Sequence, residues 1–129
     1  MNWAQAARDS YYAAQTLKQR PRSCMSRSYF AAYSAVTQAL IDSKRVSFPI
    51  GFEGPSHRGL SDLIENHLTY LFARVKIREM KAAIRRLYSA RLDADYRISA
   101  TIGETDARNA LRDAYWILRE LGIPFEVNS

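Results

Sequence analysis

Residues 72–98 read FARVKIREMKAAIRRLYSARLDADYRI, and this stretch decides the fold class. Its apolar residues recur at steps of three and four, the spacing of one face of an α-helix with about 3.6 residues per turn. The stretch therefore predicts a long amphipathic helix, the fourth of the chain. The members of its apolar face are Ile77, Met80, Ile84, Leu87 and Tyr88.

Two charged residues project from the same face as these apolar side chains, Arg91 and Asp95. A buried charge is costly unless it is paired and hydrogen-bonded. Because the two residues are four positions apart, they can pair with each other. This pattern leaves two interpretations open: an internal Arg–Asp link that ties helices together, or a groove that presents Arg91 to a phosphate or carboxylate group.

A row of basic side chains flanks the apolar face of the fourth predicted helix. Such a ridge could contact the backbone phosphates of RNA, and binding would then fall steeply with salt concentration. The alternative is an ordinary solvated helix face. The basic stripe consists of Arg74, Arg78, Lys81 and Arg85.

Four further helices follow from the same kind of spacing. Asn2 is a candidate cap for the first, and the Arg20-Pro21 pair ends it, because the residue before proline avoids the α region. Two prolines and two glycines predict one long loop over residues 44–56, and Ser56 is the candidate cap of the third helix. We therefore predict helices over residues 2–20, 21–43, 56–71 and 104–121 around the fourth. The inner side of the second is predicted to carry Phe30, Tyr33, Val36, Ala39 and Leu40, and that of the fifth to carry Ala107, Ala110, Leu111, Ala114, Ile117, Leu118 and Leu121.

Length and composition favour one small helical domain. A chain of 129 residues predicts a single domain over residues 1–129, an all-α five-helix up-and-down bundle. The single Cys24 excludes an internal disulfide, and the absence of Cys/His clusters argues against a structural metal site. No apolar run is long enough to span a membrane. We expect a cytoplasmic protein without a cofactor or a membrane partner.

The basic residues are concentrated in two segments. The net charge is +6, yet residues 74–97 hold eight basic side chains against three acidic ones, and residues 8–45 hold seven against two. Such a field favours an anionic partner, either RNA or an acidic protein. A surface that only keeps the protein soluble is the alternative.

Three segments resemble the HEPN superfamily, in particular its small stand-alone prokaryotic branch. Residues 26–35 resemble the aromatic and alanine pattern of the second HEPN helix, and Ser56-His57-Arg58-Gly59 is similar to the start of its third helix. The Arg91-x-x-x-Asp95-Tyr96 run matches the signature near the end of its fourth helix. The resemblance spans roughly residues 3–121 in order and spacing.

The resemblance implies a helical bundle that commonly dimerises and that is associated with toxin–antitoxin and defence systems. Many relatives are metal-independent ribonucleases that use an arginine followed, after four to six residues, by a histidine. This chain departs from that pattern, because neither His57 nor His67 has an arginine at the required distance before it. The wider branch often carries histidine where Ser34 stands here.

Metal-free RNA cleavage needs a base for the 2′-OH proton and a cation for the charge on phosphate. Arg91 is the candidate for the second role, but the sequence shows no base paired with it. His57 is the candidate base, which the fold or a dimer would have to bring to Arg91. We therefore expect a homodimeric RNA- or nucleotide-directed module that is degenerate in catalysis. The alternatives are a protein-interaction module that binds a nucleotidyltransferase-like or other partner, and a true metal-independent ribonuclease. The predicted groove residues are Arg91, Asp95, Tyr96, Arg27, Tyr29 and Tyr33.

Overall fold

The structure, a computed structural model, describes residues 2–46, 48 and 54–125. Within these residues it contains five helices and no strand, which confirms the predicted all-α class. Helix α4 begins and ends two residues inside the predicted range, and α5 ends one residue before its predicted end. The helices are α1 (Trp3–Thr16), α2 (Pro21–Asp42), α3 (Leu60–His67), α4 (Arg74–Tyr96) and α5 (Glu104–Glu120).

The junction between α1 and α2 follows the capping and proline signals. The Asn2 side chain accepts a hydrogen bond from the Gln5 amide at 2.7 Å, so the predicted cap is confirmed. Pro21 occupies the first position of α2, where its missing N–H has no partner to lose. Helix α1 ends at Thr16 and not near Arg20, because the Arg20 amide bonds to the Leu17 carbonyl in a turn instead of continuing the helix.

Helix α2 is the central element and packs against α1, α4 and α5. It is rich in small residues, so neighbouring helices approach it from several sides. The prediction that Phe30 faces inward is wrong, because its side chain is 39% exposed. The fully or nearly fully buried members of α2 include Cys24, Tyr29, Ala31, Ala32, Tyr33, Ala35, Val36 and Leu40.

Helix α3 is shorter than predicted at both ends. Ser56 does cap a turn, since its hydroxyl accepts a hydrogen bond from the Gly59 amide at 2.9 Å, but the helix starts only at Leu60. At the other end the Leu71 amide bonds to the Leu68 carbonyl at 3.0 Å, which tightens the chain into a turn. Residues 47 and 49–53 of the predicted 44–56 loop lie outside the described residues.

The five helices share one core, to which each contributes buried side chains. Helix α5 lays its predicted apolar face on α2 and α4, and Gly122 ends it with a positive φ of 72°. That conformation suits glycine, and it lets the Ile123 amide bond back to the Leu118 carbonyl at 3.0 Å. None of the described helices combines the length and apolar character needed to cross a bilayer.

Candidate functional site

A polar link joins α2 to α4 near the end of α4. The Arg91 Nε lies 3.2 Å from the Asp95 Oδ2, and the Ser26 hydroxyl of α2 donates to the same oxygen at 3.1 Å. Only 19% of the Arg91 side chain and 30% of the Asp95 side chain are exposed. The internal Arg–Asp link that the sequence left open is therefore present, and Ser26 extends it to the neighbouring helix.

Arg91 also lies between two tyrosine rings. Its guanidinium carbon is 5.6 Å from the centre of the Tyr29 ring and 5.8 Å from that of Tyr96. These distances are within the range of cation–π attraction. The two rings differ in exposure, since Tyr29 is fully buried and Tyr96 is 67% exposed. Arg91 thus connects the protein interior to an exposed aromatic side chain.

His57 packs against Tyr29, the buried one of these two tyrosines. Its Nδ1 is 2.7 Å from the Tyr29 hydroxyl oxygen, its ring centre is 4.5 Å from that of Tyr33, and its ring stacks on Tyr88 with planes 7° apart. Burial lowers the pKa of His57, and the nearby Arg91 charge lowers it further. The imidazole is therefore neutral at pH 7. The structure also brings His57 close to Arg91, a pairing that the sequence supported only as a hypothesis.

The Tyr29 hydroxyl determines which ring nitrogen of His57 carries the proton. Burial raises the pKa of Tyr29, so its hydroxyl stays protonated, and among the described residues His57 is its only hydrogen-bond partner. A buried hydroxyl donates its hydrogen where an acceptor is available. We assign Nδ1 as the acceptor, so the proton of the neutral ring is on Nε2. In this tautomer the Nε2–H group of His57 can donate a hydrogen bond.

Tyr33, one of the predicted groove residues, is buried and does not line the open surface of the site. Its side chain is 3% exposed, and its hydroxyl donates to the Pro55 carbonyl at 2.7 Å. Gly54 makes this contact possible, because a Cβ at that position would lie 2.6 Å from the Tyr33 hydroxyl oxygen, and its φ is 112°. Tyr29 and Tyr33 both bind the 54–57 segment to α2, so these buried residues fix the shape of the site.

An open depression lies beside the Arg91 link, between α2 and α4. Its volume is about 620 Å³, and it includes the predicted residues Arg27, Asp95 and Tyr96. Arg27 is exposed and forms no ion pair within the described part of the chain. We call this depression the α2–α4 groove; its lining residues are Arg22, Ser23, Ser26, Arg27, Phe30, Ala94, Asp95 and Tyr96.

Sequence reasoning missed the residue that fixes the rim of the groove, Arg22. Its guanidinium donates to five backbone carbonyls at the end of α4 and in the turn that follows, at 2.7–3.2 Å. A cation there satisfies carbonyls left free at a helix end and interacts favourably with the helix dipole. No sequence signal distinguishes Arg22 from a solvated arginine, because its acceptors lie 71–78 residues later in the chain.

The predicted basic stripe is only partly available to an anionic partner. Arg74 forms two hydrogen bonds with Glu65, at 2.6 and 2.7 Å, and Lys81 approaches the same carboxylate at 3.9 Å. Arg78 and Arg85 are exposed, and neither forms an ion pair with a described residue. Glu65 therefore neutralises part of the stripe, which lies outside the α2–α4 groove.

Nothing in the described residues forms a metal centre, since no three His, Cys, Asp or Glu side chains are suitably grouped. Cys24 is fully buried in the core, and burial raises the pKa of its thiol. No family model matches the chain, and no significant match to a curated protein was found.

Proposed function

We propose that the protein is an RNA-directed binding module of HEPN type, which holds unpaired RNA in the α2–α4 groove without cleaving it. The observation that carries the proposal is the combination of an unpaired cation with exposed aromatic rings. Arg27, Tyr96 and Phe30 line one open depression, and the two rings are 67% and 39% exposed.

These residues match what single-stranded RNA offers a protein. Unstacked bases pack on aromatic side chains, and the phosphates between them attract arginine. Base–aromatic stacking contributes about 1–3 kcal/mol per base. The surplus of basic residues over residues 8–45, which includes Arg27, provides a favourable field for an anionic chain.

The state of His57 supports binding over cleavage. A general base must present an unprotonated nitrogen to the 2′-OH group. With Nδ1 engaged by Tyr29, the Nε2 of a neutral His57 carries a proton and can only donate. Arg91 is similarly engaged by Asp95, so its role in this proposal is to fix the Tyr96 side of the groove.

The wider setting follows from the HEPN resemblance and is part of the proposal. We place the protein in a toxin–antitoxin-like or stress-response system, acting as a homodimer. The aromatic residues of α2 add no support for the dimer, because Tyr29 and Tyr33 are buried in the protomer and Phe30 lines the groove. Sedimentation over a micromolar concentration series tests the dimer, and a mass equal to one chain throughout counts against it.

The test of RNA binding is a fluorescence anisotropy titration of a labelled single-stranded RNA at several salt concentrations. We expect Tyr96→Ala and Arg27→Gln each to weaken binding about tenfold, and Arg27→Gln also to lower the salt dependence. Matched controls are Tyr70→Ala, which removes a tyrosine that is 71% exposed at the α3–α4 turn, and Arg119→Gln at an exposed position of α5.

Equal losses in the groove variants and in their controls would show that any contact with RNA is general electrostatic attraction. Binding that does not change between low and high salt would contradict the proposal as well, since phosphate contacts release counterions. Circular dichroism of each variant separates loss of binding from loss of fold.

A metal-independent ribonuclease is the second candidate, favoured by the closeness of His57 to Arg91. For cleavage, the His57 ring would have to present an unprotonated Nε2. In that tautomer Nδ1 carries the proton and donates a hydrogen bond to the Tyr29 hydroxyl oxygen. The His57 Nε2 would then take the 2′-OH proton, and the 2′-oxygen would attack phosphorus. As the bond from phosphorus to the 5′-oxygen breaks, the protonated His57 would give that proton to the leaving 5′-oxygen. The products would be a 2′,3′-cyclic phosphate and a 5′-hydroxyl end.

Labelled total RNA incubated with pure protein in excess EDTA decides between the two functions. Cleavage by the native protein that is lost in both Arg91→Ala and His57→Ala would establish the ribonuclease. RNA that binds to the protein but stays intact would favour the binding function. Tyr29→Phe adds a specific check, because removing the hydroxyl leaves Nδ1 free to carry the proton and Nε2 free to act as a base.

A further inference from the structure

A second cleft, between α1 and α5, has a composition unlike that of the groove. Its volume is about 270 Å³, and three of its seven lining residues are basic while none is acidic. We call it the α1–α5 cleft; it is lined by Tyr11, Gln15, Lys18, Arg108, Leu111, Arg112 and Tyr115.

The three cations of this cleft lack acidic partners. Lys18, Arg108 and Arg112 are all exposed, and none of them forms an ion pair within the described part of the chain. Arg108 donates only to the neutral Thr105 hydroxyl, at 3.3 Å. Three positive charges around one concavity repel each other, so an anion held between them relieves that repulsion.

The wall of the cleft suits a flat organic group. Tyr11 is 4% exposed and Leu111 is 7% exposed, while Tyr115 is half-buried, with its ring centre 6.3 Å from that of Tyr11. Clefts that combine an apolar wall with a few polar groups are the usual form of small-molecule sites.

We propose that the α1–α5 cleft binds a small phosphate monoester that carries a ring, with its phosphate among Lys18, Arg108 and Arg112 and its ring against Tyr115. A monoester is dianionic near pH 7 and so matches three clustered cations better than the single charge of an RNA diester. The cleft volume holds one such molecule and not a run of nucleotides. The inference does not depend on RNA binding, because the two concavities share no residue.

Isothermal titration calorimetry with adenosine 5′-monophosphate as the probe tests the proposal. We expect it to bind the native protein with a Kd on the order of 100 µM, and adenosine and inorganic phosphate each to bind about tenfold more weakly. The Arg108→Gln/Arg112→Gln double variant should lose about tenfold in affinity for the probe. Because both side chains are exposed, the thermal unfolding of the unliganded variant should match that of the native protein.

The matched control is Arg78→Gln/Arg85→Gln, which removes the same charge from exposed positions on α4. Equal loss of affinity in the control, equal binding of adenosine, or no binding of the probe at about 10 mM would overturn the proposal. Displacement of the probe by a 5′-hydroxyl RNA, with the same dependence on Arg108 and Arg112, would also overturn it and make the cleft an RNA contact. Failure here leaves the groove variants Arg27→Gln and Tyr96→Ala untouched, so the two proposals fail separately.

Discussion

The two ends of α4 are held in different ways. At its C-terminal end Arg22 binds five carbonyls, and Arg91, Asp95 and Ser26 form a partly buried polar link. At its N-terminal end Ala73 provides no side-chain cap, and the Arg74 side chain of the Arg74–Glu65 pair is 56% exposed. Leu71 and Val75 are also exposed there, at 59% and 60%. Charged groups stabilise a structure where they satisfy otherwise unpaired partners, and contribute little where water competes for them.

The largest expected effect comes from Arg22→Ala, which removes every contact of this side chain with the end of α4. Hydrogen bonds to charged groups are worth about 1.5–3 kcal/mol, and water can replace some of those lost here. We expect the free energy of unfolding, measured by urea denaturation, to fall by about 2–3 kcal/mol. Arg22→Lys keeps the charge but not the planar guanidinium group. Its free energy of unfolding should therefore lie between those of the native protein and Arg22→Ala. A change below about 0.5 kcal/mol in Arg22→Ala, as at ordinary surface sites, would contradict this account of the C-terminal end.

A smaller effect is expected for Tyr29→Phe, which deletes one hydroxyl beneath the same end. The variant keeps the packed ring but leaves the His57 Nδ1 without its partner at 2.7 Å. Loss of a buried hydrogen bond should lower the free energy of unfolding by about 1 kcal/mol. Tyr115→Phe is the matched control, since the Tyr115 hydroxyl only accepts an exposed bond from Arg119 at 3.3 Å. Equal losses in both variants would show that the His57 contact adds nothing.

The pH dependence of stability tests the surroundings of His57. Because burial and Arg91 lower its pKa in the folded state, the unfolded chain binds the His57 proton more readily. His57 therefore favours folding fully above the unfolded pKa, near 6.5, and this advantage is lost as the pH falls through the lowered folded value. We expect stability to fall from pH 7.5 to pH 5.5 more in the native protein than in His57→Gln. Parallel curves for the two proteins would mean that His57 is not responsible.

The features that were predicted correctly from the sequence are local contacts between residues close together along the chain. The Asn2 cap, the Pro21 start of α2 and the Arg91–Asp95 pair each involve residues within a few positions of one another. Contacts between distant segments could not be predicted, because periodicity describes one helix at a time. Arg22 with the end of α4 is one example and Tyr29 with His57 is another. Phe30 was misplaced for a related reason: α2 is buried on several sides, so spacing alone does not identify its exposed strip.

The smallest effect is expected at the N-terminal end of α4, in the Arg74–Glu65 pair. Its geometry is favourable, with two hydrogen bonds of 2.6 and 2.7 Å, and the arginine holds the pKa of the Glu65 carboxyl below its usual value. However, 56% of the Arg74 side chain is exposed, and ordering two long side chains offsets the attraction between them. In a double-mutant cycle of Arg74→Ala and Glu65→Ala at physiological salt, we expect no coupling in unfolding free energy above experimental error. Lys81 approaches the same carboxylate, so the cycle should be repeated in Lys81→Ala to show that it does not replace Arg74. A clear coupling that persists at high salt would mean that both ends of α4 are held by side-chain pairs, and that exposure does not explain their difference.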